Sequence, residues 1–446
     1  TVGVMHINGT QMAKRVGIAV GTFSLALGLL AVPLQVLAAP PSGPVPSVYR
    51  PLSSTALVPS ITGLDRSVGR LTQSPTLGKF SMLVVDPVTE KPVFSDQVNK
   101  ARIPASVTKI LTAAATLSSL GPNSRLSTRT TLNGSDLYLI GGGDPLMTKA
   151  KGINSLKSLA LKTISSLKSR NVTSVKLFYD ASLFTGPTLG PGWKSSFPKV
   201  GVAAPVSALS VGGARVQAGS VARVADPARQ AGQLFAKRLK KLGIKVTSVK
   251  SGIAPSDASR LASVSSEPVS VIVEEMLRDS DNDVAEILSH LVGKKTVGEG
   301  SFEGGARATK LILSQSGVST VGLSILDGSG LSRQNKVTSE TVADVLTEMV
   351  RGDQPQWAAI ATGLPVAGRT GTLDSRFDTK KTKAGAGVVR AKTGSLTGVS
   401  ALAGTVLDKS GRLLVFVMMG NKVGSITNAR DSMDLLAAKL AKCGCQ

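Results

Sequence analysis

The stretch IPASVTKILTAAATL, residues 103–117, places Ser106 three positions before Lys109 and continues as an apolar run typical of a helix. Residues i and i+3 share one face of a helix, so the hydroxyl and the amine can come within hydrogen-bonding distance. A lysine titrates near about 10.4 in water and becomes a useful base only where burial or a neighbouring cation favours its neutral form. The spacing therefore permits a serine nucleophile activated by lysine, with a second positive group expected beside Lys109.

Histidine offers little as an alternative catalytic base. The two histidines are His6, close to the N-terminus, and His290, which lies in the helical pattern AEILSHLVG. A Ser-His-Asp triad would depend wholly on His290, which we interpret as a structural or surface residue. Neither G-x-S-x-G nor H-E-x-x-H occurs in the chain, which disfavours an α/β-hydrolase and a zinc hydrolase.

Two later motifs complete a set that is used for acyl transfer to serine. RDSDNDVAE contains Ser280 and Asn282. AKTGSL ends a strand-like run, and its motif residues are Lys392, Thr393, Gly394 and Ser395. The motifs S-x-x-K, S-D-N and K-T-G, in this order, are typical of enzymes in which serine forms a covalent acyl intermediate. Ser106 is therefore the candidate nucleophile.

Each motif has an alternative interpretation. The S-x-x-K spacing recurs, as on any helix surface, at Ser165 with Lys168 and at Ser196 with Lys199. S-D-N can be a helix capping box formed by Ser280 and Asp283, and another S-x-N spans residues 169–171. K-T-G has a rival in GRTGTL, residues 368–373, which runs into a polar stretch instead of following a strand. We therefore prefer AKTGSL.

The segments around these motifs indicate how the chain is organised. Residues 78–124 begin with KFSMLVVDP and KPVFSDQ, the pattern of a β-hairpin, before the helix with the first motif. Residues 125–262 contain the order helix, turn, strand twice, whereas residues 263–446 are helical and end in a strand meander and a last helix. This pattern predicts one α/β domain interrupted by an inserted α/β region.

The N-terminal region has a different character. Lys14 and Arg15 precede the apolar run VGIAVGTFSLALGLLAVPLQVLAA, which ends in small residues. Counted from Met12, this is the pattern of a secretory signal, although an uncleaved membrane anchor is the alternative. We expect residues 1–39 to be a signal peptide or anchor and the Pro- and Ser-rich residues 40–77 to be a linker or wrapping arm. The remaining chain would fold on the outer side of the membrane.

The charge of the chain bears on its partners. Its formal net charge is +24, and aromatic residues make up 3%. An exported chain of this charge would meet anionic wall polymers and lipid head groups, and it lacks the basic and aromatic interleaving that nucleic-acid binding uses. We expect no nucleic-acid partner. Anionic wall polymers are a candidate partner, with ordinary solvated lysines as the alternative.

The cysteines predict no disulfide framework. The only two are Cys443 and Cys445 in the terminal KCGCQ, where one intervening residue makes a tight ring. We expect a frayed tail, and no metal site, because further ligands are missing nearby.

In these motifs and in the segments around them, the chain resembles the low-molecular-mass class C penicillin-binding proteins, the D-alanyl-D-alanine carboxypeptidase and endopeptidase (peptidase S13-like) family. The resemblance covers nearly everything after the linker. Its segments are PASVTKILTAAATL, LYLIGGGDPL, YDASLFTGP, DPARQAGQLF, LRDSDNDVAEIL, LDGSGLS, LPVAGRTGTL and AKTGSLTGVSALAG. It implies a penicilloyl-serine transferase (β-lactamase-like) domain whose antiparallel sheet is flanked by helices and which is split by an insertion between the first two motifs.

The resemblance also implies the catalytic roles. Ser106 would attack the carbonyl carbon of the penultimate D-alanine, and Lys109 would take its proton while the charge of Lys392 lowers the basicity of Lys109. Ser280 would relay a proton to the leaving amine, and Asn282 would hold the substrate backbone. No cofactor or metal is implied.

Substrate binding is implied for the third motif. The backbone N–H groups of Ser106 and Ser395 would hold the oxyanion, and Lys392, Thr393 and Ser395 would receive the terminal carboxylate, with Gly394 between them. Ser395 stands where the family more often has threonine. Three residues of matching segments stay outside this set, namely Asp144, Trp193 and Arg376.

The implied substrates are peptidoglycan stem peptides, and β-lactams would act as covalent inhibitors. Class A β-lactamases hydrolyse their acyl-enzyme with a glutamate between the first two motifs, whereas the first glutamate after Ser106 here is Glu267, beside S-D-N. We therefore expect a long-lived penicilloyl adduct. The alternative function is a catalytically idle wall-binding scaffold, and the balance between carboxypeptidase and endopeptidase activity stays open.

Overall fold

The computed structural model describes Ser53 and residues 55–445, so the predicted signal peptide or anchor lies outside the described residues. The strands are β1 Lys79–Asp86, β2 Lys91–Asp96, β3 Arg125–Asn133, β4 Asp136–Ile140, β5 Ser174–Asp180, β6 Lys245–Ser251, β7 Ser259–Pro268, β8 Val389–Leu396, β9 Val399–Leu407 and β10 Leu413–Asn421. The helices are α1 Ile61–Leu64, α2 Arg70–Thr72, α3 Thr108–Leu120, α4 Leu156–Lys168, α5 Phe197–Val200, α6 Pro227–Lys241, α7 Val269–Asp279, α8 Asn282–Val297, α9 Phe302–Gln315, α10 Ser339–Arg351, α11 Ala358–Gly363 and α12 Ile426–Lys442.

The first sheet is antiparallel, in the order β2-β1-β10-β9-β8. Most residues of its central strands are apolar. Because successive side chains of a strand point to opposite sides, both faces of the sheet are therefore apolar. Leu83 and Val417 pack in one core cluster with α3, α7, α8 and α10, whereas Met82 and Phe416 pack in a second cluster with α12. Helices therefore cover both faces, and the predicted hairpin of β1 and β2 is confirmed.

The second sheet, in the order β6-β5-β4-β3-β7, is mixed. β4, β5 and β6 are parallel, and β3 pairs antiparallel with β4 and β7. α4 and α6 share a core cluster with this sheet, so each helix–turn–strand unit expected from the sequence is present. β7 continues to Pro268, beyond the expected boundary at residue 262, because its last residue still pairs with Arg125 of β3.

Two expectations about the chain ends differ from the structure. Residues from Ile61 onward in the expected linker are helical, with Leu64, Val68 and Leu77 fully buried, because these side chains pack on the core beside α12. The tail is anchored, since Cys443 is buried, a disulfide joins it to Cys445, and Ser60 N donates to Cys445 O. Within the described part, no helix has the length and apolar character that crossing a bilayer requires.

Candidate active site

The backbone before α3 presents Ser106. A short 3₁₀ turn, Ala105–Val107, leads into the helix, and Ala105 has a φ of 49°. A left-handed conformation costs a non-glycine residue about 1–3 kcal/mol, and such residues cluster at functional sites. Ser106 thus lies in the turn that precedes the helix, yet its spacing to Lys109 still brings the two side chains together.

Lys109 is completely buried and has three oxygen atoms around its Nζ. These are Ser106 Oγ at 2.9 Å, Asn282 Oδ1 at 2.8 Å and the carbonyl oxygen of Ser329 at 2.7 Å. A neutral amine has two N–H donors and one lone pair, so the amide and carbonyl oxygens can take both donors. The lone pair then remains for the hydroxyl proton of Ser106, which is the arrangement that a general base requires.

The electrostatics of Lys109 favour its neutral form. Burial lowers its pKa to about 8, against the opposing influence of nearby carboxylates, of which Glu286 is the strongest. The expected second cation is Lys392, whose pKa is lowered well below its ordinary value by burial and by the charge of Lys109. Burial therefore lowers the basicity of Lys109, and the charge effect between the lysines runs opposite to the expectation, since the charge of Lys109 lowers the pKa of Lys392.

Ser280 and Lys392 form the second half of the site. Ser280 ends α7 in a left-handed conformation with a φ of 57°. Its Oγ accepts a hydrogen bond of 2.8 Å from Lys392 Nζ, which also donates to the carbonyl of Thr393. Ser280 is not the N-cap of α8, because Asp281 holds that position and accepts a hydrogen bond from Val284 N. The structure thus leaves Ser280 free for a role with Lys392.

The S-D-N motif is anchored to the chain that precedes α6. Asn282 Nδ2 donates to the carbonyl of Val202 at 2.8 Å while its Oδ1 accepts from Lys109. Asp283, nearly buried, accepts from Ala204 N at 2.6 Å and from Arg223 Nε at 3.0 Å. These contacts fix the amide orientation of Asn282, so its oxygen faces Lys109.

The third motif lies on β8, the edge strand of the first sheet. A Cβ on Gly394 would lie 2.6 Å from the carbonyl oxygen of Pro104, so only glycine lets this strand pass so close to the nucleophile turn. Thr393 Oγ1 donates to Thr372 Oγ1 of the rival GRTGTL segment, so that segment packs against the third motif. On the other side, exposed Arg430 of α12 donates to Ser395 Oγ at 3.1 Å.

The alternative motifs lie elsewhere. Ser165 and Lys168 belong to α4 beside the second sheet, and Lys199 belongs to the four-residue α5. His290 is buried in α8, where its Nδ1 bonds to the carbonyl of Glu286 and burial lowers its pKa to about 4. These observations agree with a structural histidine.

The residues left outside the catalytic set have structural partners. Asp144 accepts from Leu146 N, as in a turn, and burial raises its pKa to about 6. Trp193 Nε1 donates to Asp327 at 2.8 Å, and Arg376 forms an ion pair with Asp434. No cluster of His, Cys, Asp or Glu among the described residues could hold a metal ion.

Three residues at the site were not singled out from the sequence: Glu286, Asp327 and Arg430. Glu286 lies one helical turn after Asn282, so helix periodicity was the available signal for it. Asp327 is in LDGSGLS, a segment that matched the family but that a turn explains equally well. Arg430 has no local signal, because only the packing of α12 brings it to β8.

The chain is similar to known proteins over most of its length. A model described as the D-Ala-D-Ala carboxypeptidase 3 (S13) family matches residues 64–222 and 213–440. A carboxypeptidase of Mycobacterium tuberculosis is 35% identical, covering 91% of this chain and 90% of that protein. Carboxypeptidase DacB of Mycolicibacterium smegmatis is 33% identical, covering 98% and 99% respectively.

A solved structure is similar as well. The crystal structure of penicillin binding protein 4 from Haemophilus influenzae matches with a TM-score of 0.72 at 21% identity, covering 84% of this chain and 99% of that one. This likeness bears on the fold and confirms the expected fold class.

Proposed function

The chain belongs to the D-Ala-D-Ala carboxypeptidase 3 (S13) family, and from this premise we propose that it hydrolyses the terminal D-Ala-D-Ala bond of peptidoglycan stem peptides through an acyl-enzyme on Ser106. The relatives named as carboxypeptidases cover nearly the whole chain, which supports a serine-type enzyme. The observation that supports the assignment of the nucleophile is the environment of Lys109 Nζ, where two oxygens, of Asn282 and Ser329, can accept the N–H groups of the neutral amine and Ser106 Oγ occupies the third position. Nothing supports the idle scaffold.

Acylation follows from this geometry. Neutral Lys109 takes the hydroxyl proton as Ser106 Oγ forms a bond to the carbonyl carbon of the penultimate D-alanine. The oxyanion is held by the backbone N–H groups of Ser106 and Ser395, since β8 passes directly beside the nucleophile turn. As the C–N bond breaks, Ser280 passes a proton to the leaving amine of D-alanine and is replenished from Lys392, to which it is hydrogen-bonded.

Deacylation then restores the enzyme. A water molecule attacks the ester and gives its proton to the Ser280–Lys392 pair, which lost one during acylation, while Ser106 leaves with the proton that Lys109 returns to it. The terminal carboxylate of the intact substrate binds beside β8. The hydroxyls of Thr393 and Ser395 lie there, and the guanidinium of Arg430 is hydrogen-bonded to Ser395. Arg430 adds a full positive charge suited to a carboxylate.

We further propose that β-lactams acylate Ser106 and that the resulting acyl group is hydrolysed slowly. A Haemophilus influenzae penicillin binding protein 4 has been solved in complex with a β-lactam, which supports binding of β-lactams by this fold. Neither Glu267 nor Glu286 is placed to activate a deacylating water. Glu267 lies beside Arg125 at the surface, and Glu286 accepts hydrogen bonds from two backbone amides with its two oxygens.

Release of D-alanine from an acyl-D-Ala-D-Ala peptide tests this function. Wild-type protein should release it, and Ser106→Ala should not, while Ser165→Ala, which changes the serine of a rival S-x-x-K pair, should match wild type. Digestion of cross-linked muropeptides, followed by chromatography, measures the endopeptidase share. Activity that survives in Ser106→Ala would remove the assignment.

The location of the enzyme follows from its substrate. Peptidoglycan lies outside the cytoplasmic membrane, so we propose that the predicted signal in residues 1–39 exports the chain. Mass measurement of the mature protein from cells, with cleavage expected after the small residues near Ala39, tests this. A mass that includes residues 1–39 would favour the anchor.

We also propose that the basic surface holds the enzyme at anionic wall polymers. One cavity of about 500 Å³ is lined by Arg129, Arg260 and Lys294. The carboxylate of Asp180 in its wall already accepts hydrogen bonds from Ser182 N and Ala254 N. Co-sedimentation with purified cell walls at rising salt tests the proposal, because electrostatic binding weakens with ionic strength. A triple change of the three basic residues to serine should lower retention, whereas unchanged retention would refute this site.

A further inference from the structure

The buried carboxylate of Glu286 has no part in the steps above. It lies in α8 one turn after Asn282 and is fully buried. Residues i and i+4 of a helix share one face, so the helix that supplies the amide of Asn282 directs Glu286 into the same region. A carboxylate is buried only where other groups compensate it, so its partners indicate what it does.

The partners of Glu286 are two consecutive amides. Gly328 N donates to Oε2 at 2.9 Å, and Ser329 N donates to Oε1 at 2.8 Å. The carbonyl groups of the same two residues point to α3: Gly328 O accepts from Thr112 Oγ1 at 2.7 Å, and Ser329 O accepts from Lys109 Nζ at 2.7 Å. The carboxylate therefore holds a backbone segment whose opposite side holds the catalytic lysine.

The surrounding loop, residues 326–332, is built to stay in this position. Asp327 accepts from Gly330 N, Ser332 N and the side-chain amide of Asn335. Gly330 has a φ of 86°, and a Cβ there would overlap the carbonyl oxygen of Ala105. The loop thus touches the nucleophile turn as well as the lysine, and its tight packing leaves little room for the Ser329 carbonyl to move.

We propose that Glu286 is a positioning residue that acts through the Ser329 carbonyl to hold Lys109 Nζ with its lone pair towards Ser106. Without the carboxylate, one amide of the loop loses its acceptor and the carbonyl is free to shift. Lys109 then loses one of the two acceptors that fix its N–H groups. This inference rests on the proposed function, because it assigns Glu286 a part in the reaction of Ser106.

Glu286 also acts on the charge of Lys109. Its negative charge opposes the lowering of the lysine pKa, and burial and the charge of Asp327 raise the pKa of Glu286 itself. The charged or titratable groups around Lys109 are Glu286 and Asp283 of α8, its cap Asp281, Asp327 of the loop, and Lys392 of β8. Removing the carboxylate should therefore move the acidic limb of the acylation profile to lower pH.

The test is the acylation rate by a fluorescent penicillin between pH 5.5 and 9.5 in wild type, Glu286→Gln, Glu286→Asp and the exposed control Glu303→Gln. In Glu286→Gln we expect the plateau rate to fall by about 10²-fold, the cost of a misplaced catalytic group. Its acidic limb should move down by about one pH unit. Glu286→Asp keeps the charge but shortens the reach, so its rate should fall while its limb stays in place. Glu303→Gln should match wild type.

Each outcome decides the inference. A plateau rate within threefold of wild type and an unmoved limb in Glu286→Gln would overturn it, since a merely structural residue lowers the melting temperature without moving the limb. If Glu286→Gln does not fold, Glu286→Asp decides: a lowered rate supports the role, and a wild-type rate overturns it. If wild type itself is not acylated at Ser106, the proposed function fails first, and the two failures are thereby distinguished.

Discussion

The pH dependence of acylation is the sharpest consequence of a buried lysine base. With a pKa of about 8, Lys109 is neutral in about one molecule in ten at pH 7, whereas at its ordinary value of 10.5 it would be neutral in about one in three thousand. The rate of acylation by a β-lactam should therefore rise about tenfold per pH unit below pH 7 and level off above pH 8.

Lys109→Arg removes this base while keeping a cation. A guanidinium does not lose its proton in proteins, so acylation should fall by roughly 10²–10⁴-fold, the usual contribution of a general base. Stopped-flow or gel-based labelling with a fluorescent penicillin measures the second-order rate from pH 5.5 to 9.5. The matched control is Lys199→Arg, which makes the same change in a rival S-x-x-K pair and should leave the profile untouched.

Two results would refute this reasoning. One is a Lys109→Arg variant that keeps acylation within threefold of wild type, which would show that another group takes the serine proton. The other is a wild-type rate that does not change between pH 6 and pH 8, which would show that Lys109 does not titrate in this range. Circular dichroism on both variants ensures that only folded protein is compared.

Three further outcomes follow from the structure. Gly394→Ala should fold but lose about 10²-fold in the rate of penicillin labelling, because its Cβ would press on the carbonyl of Pro104. The control is Gly424→Ala, which has open space around its Cβ. Equal labelling rates of the two variants would contradict the close approach of β8 to Pro104. His290 has a pKa of about 4 in the fold and 6.5 ordinarily, so the unfolded chain binds more protons between these values and stability falls by up to about 3 kcal/mol as the pH drops through that window. Urea unfolding at pH 7 and pH 4.5 should show a smaller loss in His290→Gln than in wild type, and an equal loss would argue against the shift. Arg430→Ala should raise KM about tenfold for peptides with a free terminal carboxylate and leave C-terminally amidated peptides unaffected, so a KM that does not change would exclude carboxylate binding there.

The site could be predicted from the sequence where chemistry and spacing coincide. Ser106 and Lys109 share a helical spacing, and the order of the three motifs selects one copy of each, which the structure brings together. The sequence could not give the partners of Lys109, because Asn282 and Ser329 reach it from distant segments. Glu286 was missed because a single glutamate inside an apolar helix carries no motif of its own.

The fold was predictable in its periodic parts and less so at its margins. The continuous apolar runs of β1 and β10 are typical of strands with two buried faces, and the structure has them. Residues 61–77 lack a clear period, and their helical turns are stabilised by burial of Leu64, Val68 and Leu77 against the core, which local sequence does not reveal. The same reason explains the anchored tail at Cys443.

The most direct test of the central claim is the intact mass of the folded protein after exposure to penicillin, with the adduct mapped by peptide digestion. The account predicts one long-lived penicilloyl group on Ser106, absent in Ser106→Ala and present in Ser196→Ala. An unmodified protein, or an adduct mapped to another residue, would contradict it.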